Sequence, residues 1–283
     1  SSNVTGVQTC ALPIYMNSQE TTQGNPVVVI TGASSGIGRE VARQMSEKNF
    51  TVYDLSRTER PQEGVSHLTC DVTNRDSIKT AIDTVIERSS RIDILILCAG
   101  SGVAGALEMM TEEEMLFQFD VNAHGPLRVA QAALPYMRNQ QLNRNGERGR
   151  ILFISSVGAI FPLPFQGLYS ATKTSVNAIA YAMRNELHPF HIQVSSILPG
   201  DVKTGFTAAR KSNTNGSEIY THMNDAFEAM ASDEINGSSP VTIAGRIVKI
   251  AMKKRLKMYY TLDWLSKAQY MLQNIAPHSL ILY

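Results

Sequence analysis

A short β-branched run that empties into a glycine-rich turn constrains this chain more than any other feature. Residues Val27 to Thr31 read VVVIT, and Thr31 to Gly38 read T-G-A-S-S-G-I-G. The run reads as a buried parallel strand. Apolar residues at helical spacing follow from Ile37 to Lys48. Glycines at 32, 36 and 38 let the backbone turn tightly and approach a pyrophosphate, with Ser34, Ser35 and Ile37 completing the loop. The helix behind them offers unpaired N–H groups and the positive end of its dipole to phosphate oxygens. Three glycines alone make only a tight turn. The strand before them and the helix after them turn the pattern into a dinucleotide site.

The alternation continues down the chain. Thr51 to Ser56 (TVYDLS), Asp93 to Cys98 (DILILC), Arg150 to Ser155 (RILFIS) and Ile192 to Leu198 (IQVSSIL) read as strands. Helices are expected over Asn74 to Arg88, capped by Thr73 or Asn74, and over Gly167 to Leu187. Another opens at the capping box formed by Thr111 and Glu114. Strands alternating with helices predict an α/β fold, a Rossmann-type doubly wound parallel sheet in a single domain. Such sheets bind ligands beyond the carboxyl ends of their strands, where the strand order reverses. The stretch Asn139 to Gly149 reads as a surface loop, not a domain linker.

Bulk properties narrow the class further. The 283 residues are 43% hydrophobic and carry a formal net charge of +1. That is enough apolar content for one large core, and too little positive charge to expect nucleic acid. No apolar run reaches membrane-spanning length, so a cytoplasmic protein is expected. Cys10, Cys70 and Cys98 lack paired spacing, which predicts reduced thiols, neither disulfide nor zinc. His188 and His191 flank Pro189 with no acidic partner nearby, so no metal site is expected there. Val4 to Ile14, VTGVQTCALPI, resembles the conceptual translation of a sequencing adapter. Residues 1–15 are therefore read as a non-native leader and 16–283 as the domain, with a genuine disordered leader as the alternative.

The spacing T-G-x-x-x-G-x-G resembles the short-chain dehydrogenase/reductase family, and the resemblance runs from Val27 onward. It implies that Asp71 and Val72 meet an adenine. Cys98-Ala99-Gly100 stands where the family has N-A-G, with cysteine in place of the asparagine that steadies the sheet centre. Local rigidity is expected to suffer there more than chemistry. Pro199-Gly200, with Val202 and Thr204, matches the segment closing over a nicotinamide. An acidic residue about 20 positions past the glycines would bind the ribose of NAD, whereas an arginine would accommodate the 2′-phosphate of NADP. Asp54 and Arg57 both fall in that window. The family register puts the deciding position at Ser56, followed by Arg57. A hydroxyl beside a guanidinium suits a phosphate, so NADP(H) is expected over NAD(H).

Tyr169 and Lys173 stand at i and i+4, on one helix face. A phenol, with a reference pKa of about 10, exchanges protons poorly near neutrality. A neighbouring ammonium and a cationic nicotinamide are expected to lower that value. Alone, such a pair is ordinary helix surface. By resemblance, however, Ser156 hydrogen-bonds the substrate oxygen, with Ser155 the lesser candidate. Asn122 holds a water against the lysine, and Lys173 also contacts the nicotinamide ribose. Tyr169 exchanges the proton while hydride passes between nicotinamide and substrate carbon.

Residues 201–240 read as a helical flap over the substrate. Ser239-Pro240 opens a helix ending in Lys253, Lys254 and Arg255, where the cations serve its dipole rather than lipid, although weak peripheral membrane contact remains an alternative. Residues 256–283 read as an apolar extension that includes Trp264, Tyr270 and Ile275. This region resembles the 17β-hydroxysteroid and retinol dehydrogenase subgroup, which implies a steroid-, retinoid- or lipid-like alcohol or ketone. The competing readings are a 3-oxoacyl or acyl-dihydroxyacetone phosphate reductase, and a non-catalytic NADP(H) sensor on the same fold. Family resemblance further implies a homodimer or homotetramer.

Overall fold

The computed structural model describes residues 24–263 and Lys267. The expected leader and most of the expected C-terminal extension, including Trp264, Tyr270 and Ile275, lie outside the described residues. Nine strands and eight α-helices are described: β1 (Val27–Thr31), α1 (Gly36–Ser46), β2 (Thr51–Ser56), β3 (Val65–Thr69), α2 (Arg75–Ser89), β4 (Ile94–Leu97), β5 (Val103–Ala104), α3 (Glu112–Phe119), α4 (Gly125–Asn139), β6 (Gly149–Ile154), α5 (Gly167–Leu187), β7 (Ile192–Leu198), α6 (Phe206–Ala209), β8 (Lys211–Ser212), α7 (Met223–Asn236), α8 (Pro240–Ala251) and β9 (Tyr259–Thr261). Seven strands form one sheet in the order β3-β2-β1-β4-β6-β7-β9, all pairs parallel. The direction of strand addition reverses at β1, between β2 and β4, so the crevice for a ligand opens there.

Alternate residues of each strand serve opposite faces. Val27 and Val29 of β1, Leu95 and Leu97 of β4, and Ile151 and Phe153 of β6 pack with α2, α4 and α5. Val28 and Ile30, Ile94 and Ile96, and Leu152 and Ile154 pack with α1 and α8. Both faces are covered, which is why these strands read as unbroken apolar runs. Each large aliphatic side chain buried this way contributes roughly 1.5–3 kcal/mol.

The caps hold as expected. Asn74 accepts from Ser77 N, Thr111 and Glu114 close a capping box, and Ser239 caps the proline-led α8. Two expectations change. Residues Tyr259–Thr261, read as part of an apolar extension, form β9 and pair with β7 at the sheet edge. Leu256 and Leu262 on either side are buried in the core shared with α1 and α8. Three residues were too few to show an alternating pattern. The helix expected to end in Lys253-Lys254-Arg255 stops at Ala251, so these cations lie beyond it. Lys253 Nζ instead lies 5.1 Å from the centre of the Tyr260 ring.

Candidate active site

The carboxyl ends of β1, β2, β4, β6 and β7 open into one cavity of about 1770 Å³. Its floor is the glycine loop. Gly32 has φ +73° and Gly36 φ +54°, both in the region that favours glycine. A methyl group on Gly32 would meet Ala99 Cα at 2.9 Å, and one on Gly38 would meet Gly32 O at 2.5 Å. At Gly32 the loop therefore lies flat against the β4 end. Gly32 N donates to Leu55 O and Ala33 N to Asp54 Oδ1, each at 2.9 Å, which ties the loop to β2. Thr31 Oγ1 accepts from both Cys98 N and Ala99 N, at 3.0 and 3.1 Å. Cys98 takes a hydrogen bond from Gly38 N–H, so the cysteine that replaces asparagine still joins the sheet centre to the loop. Burial pushes its thiol up to about 11 and leaves it protonated.

All the sequence-predicted dinucleotide residues line this cavity: Gly32, Ser34 to Gly38, Ser56, Arg57, Asp71, Val72, Ala99, Gly100, Pro199, Gly200, Val202 and Thr204. Asp54 does not. It is 3% exposed, and its carboxylate accepts from Ala33 N, Ser56 Oγ and His67 Nδ1. The acidic candidate for a ribose contact is thus consumed inside the fold, while Arg57 remains at the cavity wall. Arg57 also helps hold Asp71 below the usual carboxylate range, together with the Thr73 hydrogen bonds that outweigh burial there.

Ser156, Tyr169 and Lys173 meet deeper in the same cavity. The Ser156 hydroxyl hydrogen-bonds the Tyr169 phenol, and Ser156 Oγ also accepts from Gly158 N at 3.0 Å. Ser155 donates to Lys173 O at 3.1 Å and is buried, which leaves Ser156 as the serine free to meet a substrate oxygen. Lys173 is on the α5 turn beyond Tyr169, and its Nζ lies 5.7 Å from the phenol ring centre and donates to Ile154 O. Burial pushes Lys173 down to about 8. Burial also pushes Tyr169 up to about 12, against the Ser156 hydrogen bond and with help from Glu234 and Asp201. The ammonium was expected to lower the phenol. Here desolvation is the largest influence, and the upward push outweighs the Ser156 hydrogen bond.

Asn122 is the one catalytic candidate outside the lining. It sits in a π-helical turn, Asp120–His124, between α3 and α4. Such turns cluster at functional sites. Its side chain donates to Ser101 O and Thr172 Oγ1 and accepts from Ser101 N. A methyl group on Gly100 would lie 3.4 Å from Asn122 Oδ1 and 3.7 Å from Lys173 Nζ, so both groups converge on the backbone of Gly100.

The outer wall was not resolved residue by residue from the sequence. Phe161, Leu163, Gln166, Phe206 and Met230 line it, with Asp201, Asp233 and Glu234. Phe206 packs its ring 5.8 Å from that of Tyr169. Glu234 binds Arg210 at 2.7 Å, a pairing largely buried from solvent that ties α7 to the residue after α6. The i, i+4, i+7 spacing of Met223, Phe227 and Met230 carried a usable signal for one inward helix face.

Residues 26–215 match the family model for short chain dehydrogenases. The chain belongs to this family. It is 39% identical to a 3-ketodihydrosphingosine reductase of Bacteroides thetaiotaomicron, over 81% of this chain and 84% of that one. It is 35% identical to human 17-beta-hydroxysteroid dehydrogenase type 1, over 64% of this chain and 58% of that one. The fold superposes on a short-chain dehydrogenase from Streptomyces avermitilis with TM-score 0.75 at 24% identity, covering 89% and 96% of the two chains. The protein is therefore an oxidoreductase of the kind that acts on CH–OH groups with a nicotinamide dinucleotide. Among the described residues no helix is long and apolar enough to cross a membrane, and no group of three or more acidic, histidine or cysteine side chains could hold a metal.

Proposed function

We propose that this protein is an NADP(H)-dependent reductase of a long-chain, lipid-like ketone, with a 2-amino ketone of the 3-ketodihydrosphingosine type as the leading substrate. The observation that carries the reading is a single cavity that joins a dinucleotide cradle to a phenol–serine–lysine group and then to an apolar wall. The residues fit the cofactor. Two glycines leave room only for backbone at the cradle, Arg57 stands at the ribose end, and Asp54 is withdrawn from it. A bound nicotinamide supplies or accepts hydride.

The chain's own residues handle the oxygen. Ser156 Oγ and the Tyr169 hydroxyl bind the carbonyl oxygen from one side, and Tyr169 donates its proton as negative charge develops there. A phenol held near 12 is fully protonated at neutral pH, so it is loaded for reduction. Lys173, charged below about pH 8, stabilises the phenolate left behind. Asn122 fixes the Ser101 backbone beside Gly100, and Ile154 O holds Lys173 Nζ.

Phe161, Leu163, Phe206 and Met230 offer apolar surface for a chain. The similarity to a 3-ketodihydrosphingosine reductase gives that chain a chemistry: an amine beside the ketone and a long saturated tail. Asp201 and Asp233, with Glu234 already paired to Arg210, suit an amine at the reacting end and oppose a phosphate or a phosphorylated carrier. That charge favours an amino ketone over an acyl-dihydroxyacetone phosphate. The test is NADPH and NADH oxidation with 3-ketodihydrosphingosine, a steroid ketone and a 3-oxoacyl thioester. Turnover highest with NADPH and the amino ketone is expected. Turnover confined to the thioester would overturn the substrate assignment.

A further inference from the structure

We propose that His67 is a positioning residue for cofactor choice, freeing the Ser56 hydroxyl to bind the 2′-phosphate of NADP(H). The inference rests on the NADP(H) reading above and goes beyond it. Asp54 and His67 are register partners on adjacent parallel strands, so their side chains meet on one sheet face. Their contact is 3.1 Å, Nδ1 to Oδ2, with the side chains 13% and 4% exposed. An ionised carboxylate only accepts, so Nδ1 carries the proton. The other ring nitrogen then accepts from Thr69 Oγ1, 3.4 Å away.

The arrangement loads Asp54 Oδ2 with two donors. Ser56 Oγ gives it one at 2.8 Å and His67 gives the other. Oδ1 is served by Ala33 N. A buried carboxylate that loses its donor is costly, so a serine serving it alone would be locked in place. With His67 holding Oδ2, Ser56 can turn its proton toward the cavity and leave Asp54 satisfied. Ser56 lines the cavity beside Arg57, where a hydroxyl and a guanidinium together match a phosphate. His67 never touches the nucleotide. It acts through Asp54 and Ser56.

Affinities for NADP+ and NAD+, and for adenosine 2′,5′-bisphosphate and 5′-AMP, are measured by calorimetry on the full chain. His67→Leu is expected to weaken NADP+ and the bisphosphate about tenfold and to leave NAD+ and 5′-AMP within about twofold. His67→Gln, which keeps an N–H donor, restores most of the difference. In a Ser56→Ala background His67→Leu has no further effect, the signature of one coupled pathway. Equal weakening of both nucleotides, or an unchanged ratio in a wild type that prefers NADP+, overturns the proposal. Should the leucine variant not fold, Ser56→Ala alone decides: retained selectivity for NADP+ overturns it. A wild type that prefers NAD+ instead overturns the cofactor reading, and this inference with it.

Discussion

The glycine loop and the flap face the same cavity and are made differently. The loop is pinned where it leaves the strand: to β2 through Leu55 O and Asp54, and to β4 through the close approach of Gly32 and Ala99. The flap is a short α6, a two-residue strand β8 pairing with β5, and α7, joined to the body by side-chain contacts such as Tyr220–Glu108 and Asn213–Glu114. It faces the cavity with Phe206 and Met230 beside Asp233 and Glu234. A cofactor common to a whole family is met by backbone geometry, whereas a substrate peculiar to one member is met by side chains on a weakly attached segment.

If that contrast is right, changes at the two sides separate cleanly. Between them, Tyr169→Phe should lower kcat by about 1000-fold and leave NADP+ affinity unchanged, because the phenol is a proton donor more than a binding group. Loss of affinity in parallel would show that the ring supports the cradle instead. Gly38→Ala should weaken the dinucleotide by about 10- to 100-fold, since the new methyl group must displace the Gly32 carbonyl. Equilibrium binding of NADP+ reads this directly. Phe206→Ala should raise KM for a long-chain ketone about tenfold with little change in NADP+ affinity. A fall in cofactor affinity there would erase the distinction between the halves.

The smallest effect lies on the seam. Lys173 loses its proton near pH 8 in the folded protein, whereas an unfolded lysine keeps it to about 10.4. Between these values the unfolded chain holds more protons, so this group's contribution to stability rises with pH. Lys173→Met removes that rise. The melting temperatures of variant and wild type, compared from pH 7.5 to 10, should converge as the buried charge disappears.

The same contrast explains what could be read from the sequence. The strand runs, the Thr111 capping box and the glycine turn each rest on a few adjacent residues, and each stands where it was expected. The dinucleotide residues follow strand ends, so fold and cradle were legible together. Asp54 was not: whether it meets a ribose or folds inward depends on His67 and Ala33, 13 and 21 positions away. The phenol's upward shift was equally hidden, because desolvation depends on packing from Phe206 and the flap. β9 escaped because a three-residue edge strand has no period to detect.

The proposed reaction carries hydride from NADPH to the ketone carbon of a long-chain amino ketone in this cavity. Incubation of the protein with NADPH deuterated at nicotinamide C4 and 3-ketodihydrosphingosine, followed by mass spectrometry of the product, tests it most directly. One deuterium is expected at the new carbinol carbon, and none after Tyr169→Phe within the same interval. No deuterated product with the amino ketone, alongside ready transfer to a steroid ketone or a thioester-linked acyl chain, would contradict it.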